Sequence, residues 1–145
     1  MSARRKRGRT SGPLIIRTFA DAVASAMGVA DRFAHGHGVA VSDARGRVLD
    51  MLFFAGDEHT AEDAIEAGVH MTAHHPAARR MLLISVLDDV DLRTPNEFDV
   101  DMWWDTLERC GEVGLELWEW IQTSRDLLRS LKMTAETEDA WRSPA

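Results

Sequence analysis

Histidine is the residue type whose spacing in this sequence comes closest to supporting metal or proton chemistry. His70 and His74 are four residues apart, so both imidazoles can lie on one face of a helix. His75 adjoins them, and His59 lies near the start of the same predicted helix. Neither a cysteine nor a carboxylate accompanies them at the spacing of a zinc motif. The pattern favours surface or helix-end histidines, with a divergent metal-dependent hydrolase built on these four residues as the alternative.

Three further groups have reactive side chains and a simpler structural explanation. The His-Gly-His-Gly stretch at 35–38 is typical of a flexible entry to a strand. The acidic loop Asp88–Asp91 lacks the glycine and the distal glutamate of a calcium-binding loop, which favours a solvated loop. Cys110 falls on a predicted apolar helix stripe, so we interpret it as a core residue. We therefore assign no catalytic residue and expect no cofactor.

Tryptophan provides the best candidate for an interface. Trp118 and Trp120 are two residues apart in a predicted strand, which predicts that they share one face. Trp103 and Trp104 are adjacent on a predicted helix and point in different directions. Burying four indoles in a domain of this size is difficult, so we expect at least one to stay partly exposed. Most such tryptophans are core residues, but an exposed cluster would act as an anchor for a protein partner or a second copy.

The elements that must position these side chains follow from hydrophobic periodicity and turn residues. An amphipathic helix is expected from Leu14 to about Met27, and a capped helix from Thr60 to about Ala73. The Thr-Pro-Asn-Glu sequence at 94–97 predicts the start of a third helix. Strands are predicted in five segments: 37–42, 47–54, 80–87, 115–122 and 127–133. Asp43 and Gly46 at the ends of the sequence Asp-Ala-Arg-Gly predict a turn at 43–46 between the first two strands. The order predicts a mixed α/β (α+β) domain whose mixed central sheet is flanked by about three helices.

This order of elements, together with several local motifs, resembles the RadC-like branch of the JAB/MPN metalloprotease-type domains. The motifs span most of the chain and occur at 43–49, 53–56, 94–99, 113–117 and 130–132. The helix-hairpin-helix region that often precedes this domain in RadC proteins is missing. The resemblance implies a single JAB/MPN-like domain over residues 14–133.

The resemblance also implies where the family's chemistry would lie. Members bind zinc through a His-x-His pair and a downstream Asp, and use an upstream Glu as general acid and base. Counting back from the 94–99 motif, the two histidine positions fall on Val86 and Asp88, and the Glu position on Met51. The distal Asp is retained as Asp99. Because valine cannot bind a metal and methionine cannot transfer a proton, the resemblance implies a pseudoenzyme with a binding or regulatory role.

The charge of the chain is divided unequally along the sequence. The net charge is −7, from 17 basic and 24 acidic residues. Residues 1–13 contain no acidic residue, and their basic side chains are Arg4, Arg5, Lys6, Arg7 and Arg9. We expect this tail to be disordered, and nucleic-acid or anion binding through it is a further alternative. The last residues, 134–145, are predicted to form a polar C-terminal tail.

The size and composition fit one domain. The chain has 145 residues, and no apolar run reaches the roughly 18 residues of a membrane span. The N-terminus is charged and lacks the apolar core of a signal peptide. Cys110 is the one cysteine, so no internal disulfide can form. These features predict a cytoplasmic protein that binds a protein partner or a second copy of itself and does not engage a membrane.

Overall fold

The computed structural model describes residues 14–88, 90–93, 97–124 and 127–142. It confirms the mixed α/β fold class, with five strands and four helices in these residues. The helices are α1 (Phe19–Arg32), α2 (Ala61–His74), α3 (Glu97–Glu112) and α4 (Leu131–Arg142). The strands are β1 (Gly36–Ser42), β2 (Val48–Ala55), β3 (Arg80–Leu87), β4 (Glu116–Ser124) and β5 (Leu127–Ser130). No helix in the described part of the chain is both long and apolar enough to span a bilayer.

The five strands form one mixed sheet in the order β2-β1-β3-β4-β5. The pair β3–β4 is parallel, and the other three neighbouring pairs are antiparallel. The β1–β2 hairpin closes around Asp43, whose carboxylate accepts hydrogen bonds from the amides of Arg45 and Arg47. These bonds lower the pKa of Asp43 below its ordinary value. The predicted turn at 43–46 is therefore confirmed.

Helices cover both faces of the sheet and give three layers. Ala22 and Ala26 of α1 pack on one face, in a cluster with Ile84, Val86 and Ile121 of the sheet. The other face is covered by α2, α3 and α4. Its cluster includes the buried side chains Val39, Ile65, Met81, Trp103, Cys110, Trp120 and Leu131. The interpretation of Cys110 as a core residue is confirmed, because its side chain is fully buried.

The first helix begins later than the sequence predicts. Thr18 caps α1: its hydroxyl accepts from the amide of Asp21, and the Asp21 carboxylate accepts from the amides of Arg17 and Thr18. The predicted start at Leu14 is wrong because residues 14–16 run beside the hairpin instead. The amide of Ile16 donates to the carbonyl of Gly46. The backbone of this segment is therefore hydrogen-bonded to the hairpin in an extended conformation and not within a helix.

The C-terminal end of the domain also differs from the prediction. The last strand stops at Ser130 instead of continuing to Met133, and α4 occupies residues that were expected to form a strand end and a polar tail. Ser130 acts as the helix cap, because its hydroxyl accepts from the amide of Met133. Leu131 and Ala135 then lie on one helical face and are both fully buried against the core.

Candidate functional site

The sheet register separates the positions that the resemblance assigns to catalysis. Met51 on β2 lies opposite Ala40 of β1, which in turn lies opposite Leu82 of β3. Val86 lies four residues further along β3, opposite Gly36. Two strand spacings and four residue rises put Met51 roughly 16 Å from Val86. The structure therefore does not bring Met51 together with Val86.

The two remaining acidic positions are used in different ways. The guanidinium of Arg129 donates from Nη2 to Asp99 Oδ2 at 3.0 Å and to Gln122 Oε1 at 2.7 Å. This pair joins α3 to β4 and β5, and both of its charged groups are largely buried. Asp88, by contrast, is exposed at the end of β3. Asp99 therefore has Arg129 as a structural partner.

An open cavity of about 610 Å³ lies at the end of the sheet where β1 begins and β2 and β3 end. It contains charges of both signs and is lined by Arg32, Phe33, Ala34, His35, Ala55, Gly56, Asp57 and Asp88. The ring of Phe33 stacks on that of Phe53, with centroids 4.5 Å apart. This cavity lies at the end of the sheet to which β3 leads, where Asp88 lines it.

A buried polar group lies behind this cavity. The indole Nε1 of Trp120 donates to Ser85 Oγ at 2.9 Å, and Ser85 Oγ is 2.9 Å from His37 Nδ1. Desolvation, with a smaller contribution from the neighbouring His35, lowers the pKa of His37 to about 4. The imidazole is therefore neutral near pH 7. Because Ser85 and His37 are both buried, this hydrogen-bonded pair satisfies polar atoms of the core and is not accessible to a substrate.

His37 is a residue that sequence reasoning missed. The strand predicted over 37–42 is confirmed and includes His37, but the interpretation of 35–38 as an entry to that strand assigned no hydrogen-bonding role to His37, which pairs in register with Ser85. The available signal was the alternation of His37, Val39 and Val41, since every second residue of a strand faces the same side. The sequence analysis also gave His35 no role, whereas the structure places it on the wall of the cavity.

The four histidines proposed as a metal site form separate pairs. His59 Nδ1 is 3.3 Å from Asp63 Oδ2, and His75 Nε2 is 3.2 Å from Asp50 Oδ2. The Nε2 atoms of His70 and His74 are 3.4 Å apart on the exposed face of α2. Within the described residues, no group of three or more His, Cys, Asp or Glu side chains has a geometry suited to a metal. The structure brings only His70 and His74 together.

The tryptophans do not form the single surface that we expected. Trp103 and Trp120 are buried in the core, whereas Trp104 and Trp118 are half-buried. Trp104 packs on the α2–α3 side, and Trp118 packs on the α1 side of the sheet. The expectation that at least one indole stays partly exposed is confirmed. A shared patch is excluded because the two half-buried indoles lie on opposite sides.

A β-bulge explains why Trp118 and Trp120 lie on opposite faces. Met81 pairs with Leu117, but the next residue, Leu82, pairs with Glu119. Trp118 is the extra residue of the bulge, and alternation restarts beyond it. The prediction from period-two spacing is therefore wrong.

The most accessible apolar feature of the sheet is one side of β2. Beyond Val48, no described residue pairs with the side of β2 that faces away from β1. Met51 and Leu52 are 49% and 46% exposed. The amide of Met51 donates to Asp50 Oδ1 at 2.9 Å, and the amide of Gly56 donates to the carbonyl of His35. By alternation, the amides of Met51, Phe53 and Ala55 point outward. We call this outward side of Met51–Ala55 the open edge of β2.

Compared with known proteins, the chain matches no family model and no curated protein. The RadC-like interpretation therefore rests on the element order and the local motifs.

The basic residues proposed for nucleic-acid or anion binding, at positions 4–7 and 9, lie outside the described residues.

Proposed function

We propose that this chain is a non-catalytic RadC/JAB-like binding domain, and that it binds a second copy of itself through the open edge of β2. The observation that carries the proposal is an edge strand whose Phe53 and Ala55 amides point outward, beside the exposed apolar side chains of Met51 and Leu52. A sheet edge of this kind is a template for pairing with another strand. A regulatory role in the cytoplasm, with protein contacts and no cofactor, belongs to the same proposal.

The placement of the former catalytic positions supports loss of hydrolase chemistry. Val86 is 4% exposed and packs in the α1-side core, so its position is filled by apolar contacts. Asp99 is held by Arg129. The element order on which the resemblance depends is the order observed, with α4 added at the end. These placements favour a family scaffold retained for binding.

The composition of the open edge favours a second copy as its occupant. A two-fold axis through Phe53 would pair Met51 with Ala55 and Leu52 with Phe54 of the other copy. Asp50 would lie opposite Gly56, so no like charges face each other. This matters because the chain beyond residue 13 holds 12 basic and 24 acidic residues, and most of its surface would repel a copy of itself. The open edge itself holds no acidic residue; the acids that flank it are Asp50, whose Oδ2 lies 3.2 Å from His75 Nε2, and Asp57.

The test is the oligomeric state of the full chain, measured by analytical ultracentrifugation over a range of concentrations. We expect a reversible dimer that Met51→Lys weakens at least about tenfold, because a lysine on an edge strand opposes pairing. Met27→Lys is the matched control, since Met27 is 47% exposed on α1 and should leave the dimer unchanged. A strictly monomeric chain, or equal effects of the two lysine variants, would overturn the proposal.

A further inference from the structure

Five arginines lie together at the end of the sheet where β1 ends and β2, β3 and β4 begin. Arg45 lies in the turn of the hairpin, and Arg47 immediately precedes β2. Arg79 immediately precedes β3, and Arg80 is its first residue. Arg17 reaches the turn from the segment before α1, because its Nε donates to the carbonyl of residue 45 at 3.0 Å. We call these five residues the arginine cluster.

The arginine cluster surrounds two adjoining depressions in the surface. One has a volume of about 330 Å³ and is lined by Arg45, Arg47 and Arg79. The other has a volume of about 350 Å³ and is lined by Arg17, Arg45 and Arg80. Since Arg45 lines both, an anion in either depression would lie among three guanidinium groups. A ligand that fills both depressions must carry at least two anionic groups in succession.

The carboxylates beside the arginine cluster are bound mainly to backbone amides. Asp43 lines the first depression, but its Oδ1 accepts from the amides of Arg45 and Arg47. Asp21 accepts in the same way from two amides at the start of α1. Within the described residues, the guanidinium groups of Arg45 and Arg47 have no ion-pair or hydrogen-bond partner. Both side chains are exposed and therefore available to a ligand.

Two other guanidinium groups of the cluster are held in place by their surroundings. Arg79 Nη1 donates to two carbonyls of the preceding loop, each at 2.8 Å. The guanidinium of Arg80 lies over the ring of Trp118, 5.9 Å from its centroid, and its Nε is 3.8 Å from Glu116 Oε1. A guanidinium that is already positioned loses less conformational entropy when it binds an anion. The half-buried Trp118 is therefore a positioning residue for Arg80.

We infer that the arginine cluster binds the backbone of single-stranded nucleic acid, with successive phosphates in the two depressions. The five cations are all arginine, whose planar donors match the oxygens of a phosphate. From β2 to β4 the cluster spans three strand spacings, or about 14 Å. At a rise of about 3.4 Å per nucleotide, one nucleic-acid strand presents roughly four phosphates over that length. Recessed guanidiniums favour a narrow chain over a flat anionic membrane, and the inference is independent of the proposed function.

The experiment measures binding of a labelled oligothymidine of about 12 nucleotides to the full chain, by fluorescence anisotropy at several salt concentrations. Arg45→Gln with Arg47→Gln should raise Kd at least about tenfold at low salt. It should also reduce the slope of log Kd against log salt by about 1.4, since each lost phosphate contact contributes about 0.7. Arg32→Gln with Arg93→Gln is the matched control, because it removes two exposed arginines outside the cluster and should leave both values unchanged.

Two further variants separate the cluster from other sources of binding. Arg45→Lys with Arg47→Lys keeps the charge, so the salt slope should stay close to that of the unaltered chain. Glutamine at the five basic positions 4–7 and 9 removes the charge of the N-terminal tail. In that background, Arg45→Gln with Arg47→Gln should still raise Kd and reduce the slope, because the effect belongs to the cluster.

Four results would overturn the inference. The first is no binding of oligothymidine by the unaltered chain at low salt, and the second is equal weakening by the two glutamine pairs. The third is a cluster effect that disappears once the tail is neutralised. The fourth is displacement of oligothymidine by inorganic phosphate, polyglutamate or phosphatidylserine vesicles at equal concentrations of anionic groups, which would indicate a site for any anion.

Discussion

The two edges of the sheet are closed to different degrees. At one edge, Glu119 accepts hydrogen bonds from the amide of Trp120 and from the Ser130 hydroxyl, and α4 packs directly behind β5. At the other, Asp50 accepts from the amide of Met51 in the same manner, but both residues lie at the surface. The same hydrogen bond, from an amide to the carboxylate of the preceding residue, is therefore buried at one edge and exposed to solvent at the other. In this chain the carboxylate is buried only at the edge that a helix also covers.

The strongest test of this contrast removes the packing of α4. Leu131→Ala should lower the free energy of unfolding by about 3 kcal/mol, because it leaves a cavity in a fully buried site. Met133→Ala is the control: its side chain is 59% exposed, and the change should stay within about 0.5 kcal/mol. Urea unfolding measures both variants. Equal effects would mean that α4 does not close the β5 edge.

The two carboxylates can be compared directly. Glu119→Ala should cost about 2 kcal/mol, because it leaves the Trp120 amide and the Ser130 hydroxyl without their acceptor in a buried site. Asp50→Ala should change stability by less than about 0.5 kcal/mol, since water can replace the carboxylate. Thermal and urea unfolding give both values. A larger effect for Asp50→Ala would reverse the comparison.

The buried imidazole of His37 should make the free energy of unfolding fall as the pH is lowered. His37 has a pKa of about 4 when folded against 6.5 when unfolded, so the unfolded chain binds the additional proton. Its contribution is complete above pH 6.5 and is lost as the pH falls toward 4, amounting to about 3 kcal/mol. His37→Gln should flatten the stability profile in this window. Identical profiles for the two proteins would show that His37 is not held neutral by burial.

The smallest expected effect is on the rate at which the Cys110 thiol reacts with a thiol reagent. Burial raises the pKa of its thiol to about 11, and the side chain is fully buried. We expect a thiol reagent at pH 8 to react with the folded chain only as fast as the chain opens, and rapidly in denaturant. Fast reaction of the native chain would mean that the α3 side of the core is open.

Local sequence signals predicted much of the fold. The Asp43 turn, the Thr60 helix start and the apolar β3 strand depend on neighbouring residues, and each is present. The end of β5 was missed because Ser130 acts as a helix cap inside an apolar run that is also typical of a strand. The bulge at Trp118 was missed because it arises from pairing with β3. Local patterns do not encode such pairing.

The candidate site was predicted less well because it depends on strand order and register. Met51 was assigned by counting along the chain, whereas its distance from Val86 is set by two strand pairings. The open edge of β2 has no local signature either, since any strand can be an edge or a centre. The histidines show the same limit: four that are close in sequence form three separate pairs.

Intersubunit disulfide formation tests the pairing of two copies most directly. The pairing proposed around Phe53 places Met51 opposite Ala55 of the other copy, at a Cα separation of about 5.5 Å that suits a disulfide. Met51→Cys with Ala55→Cys should therefore give a covalent dimer on mild oxidation, while each single variant should not. Cys110 is buried and should not interfere. A double variant that stays monomeric after oxidation, or single variants that cross-link equally well, would contradict the account.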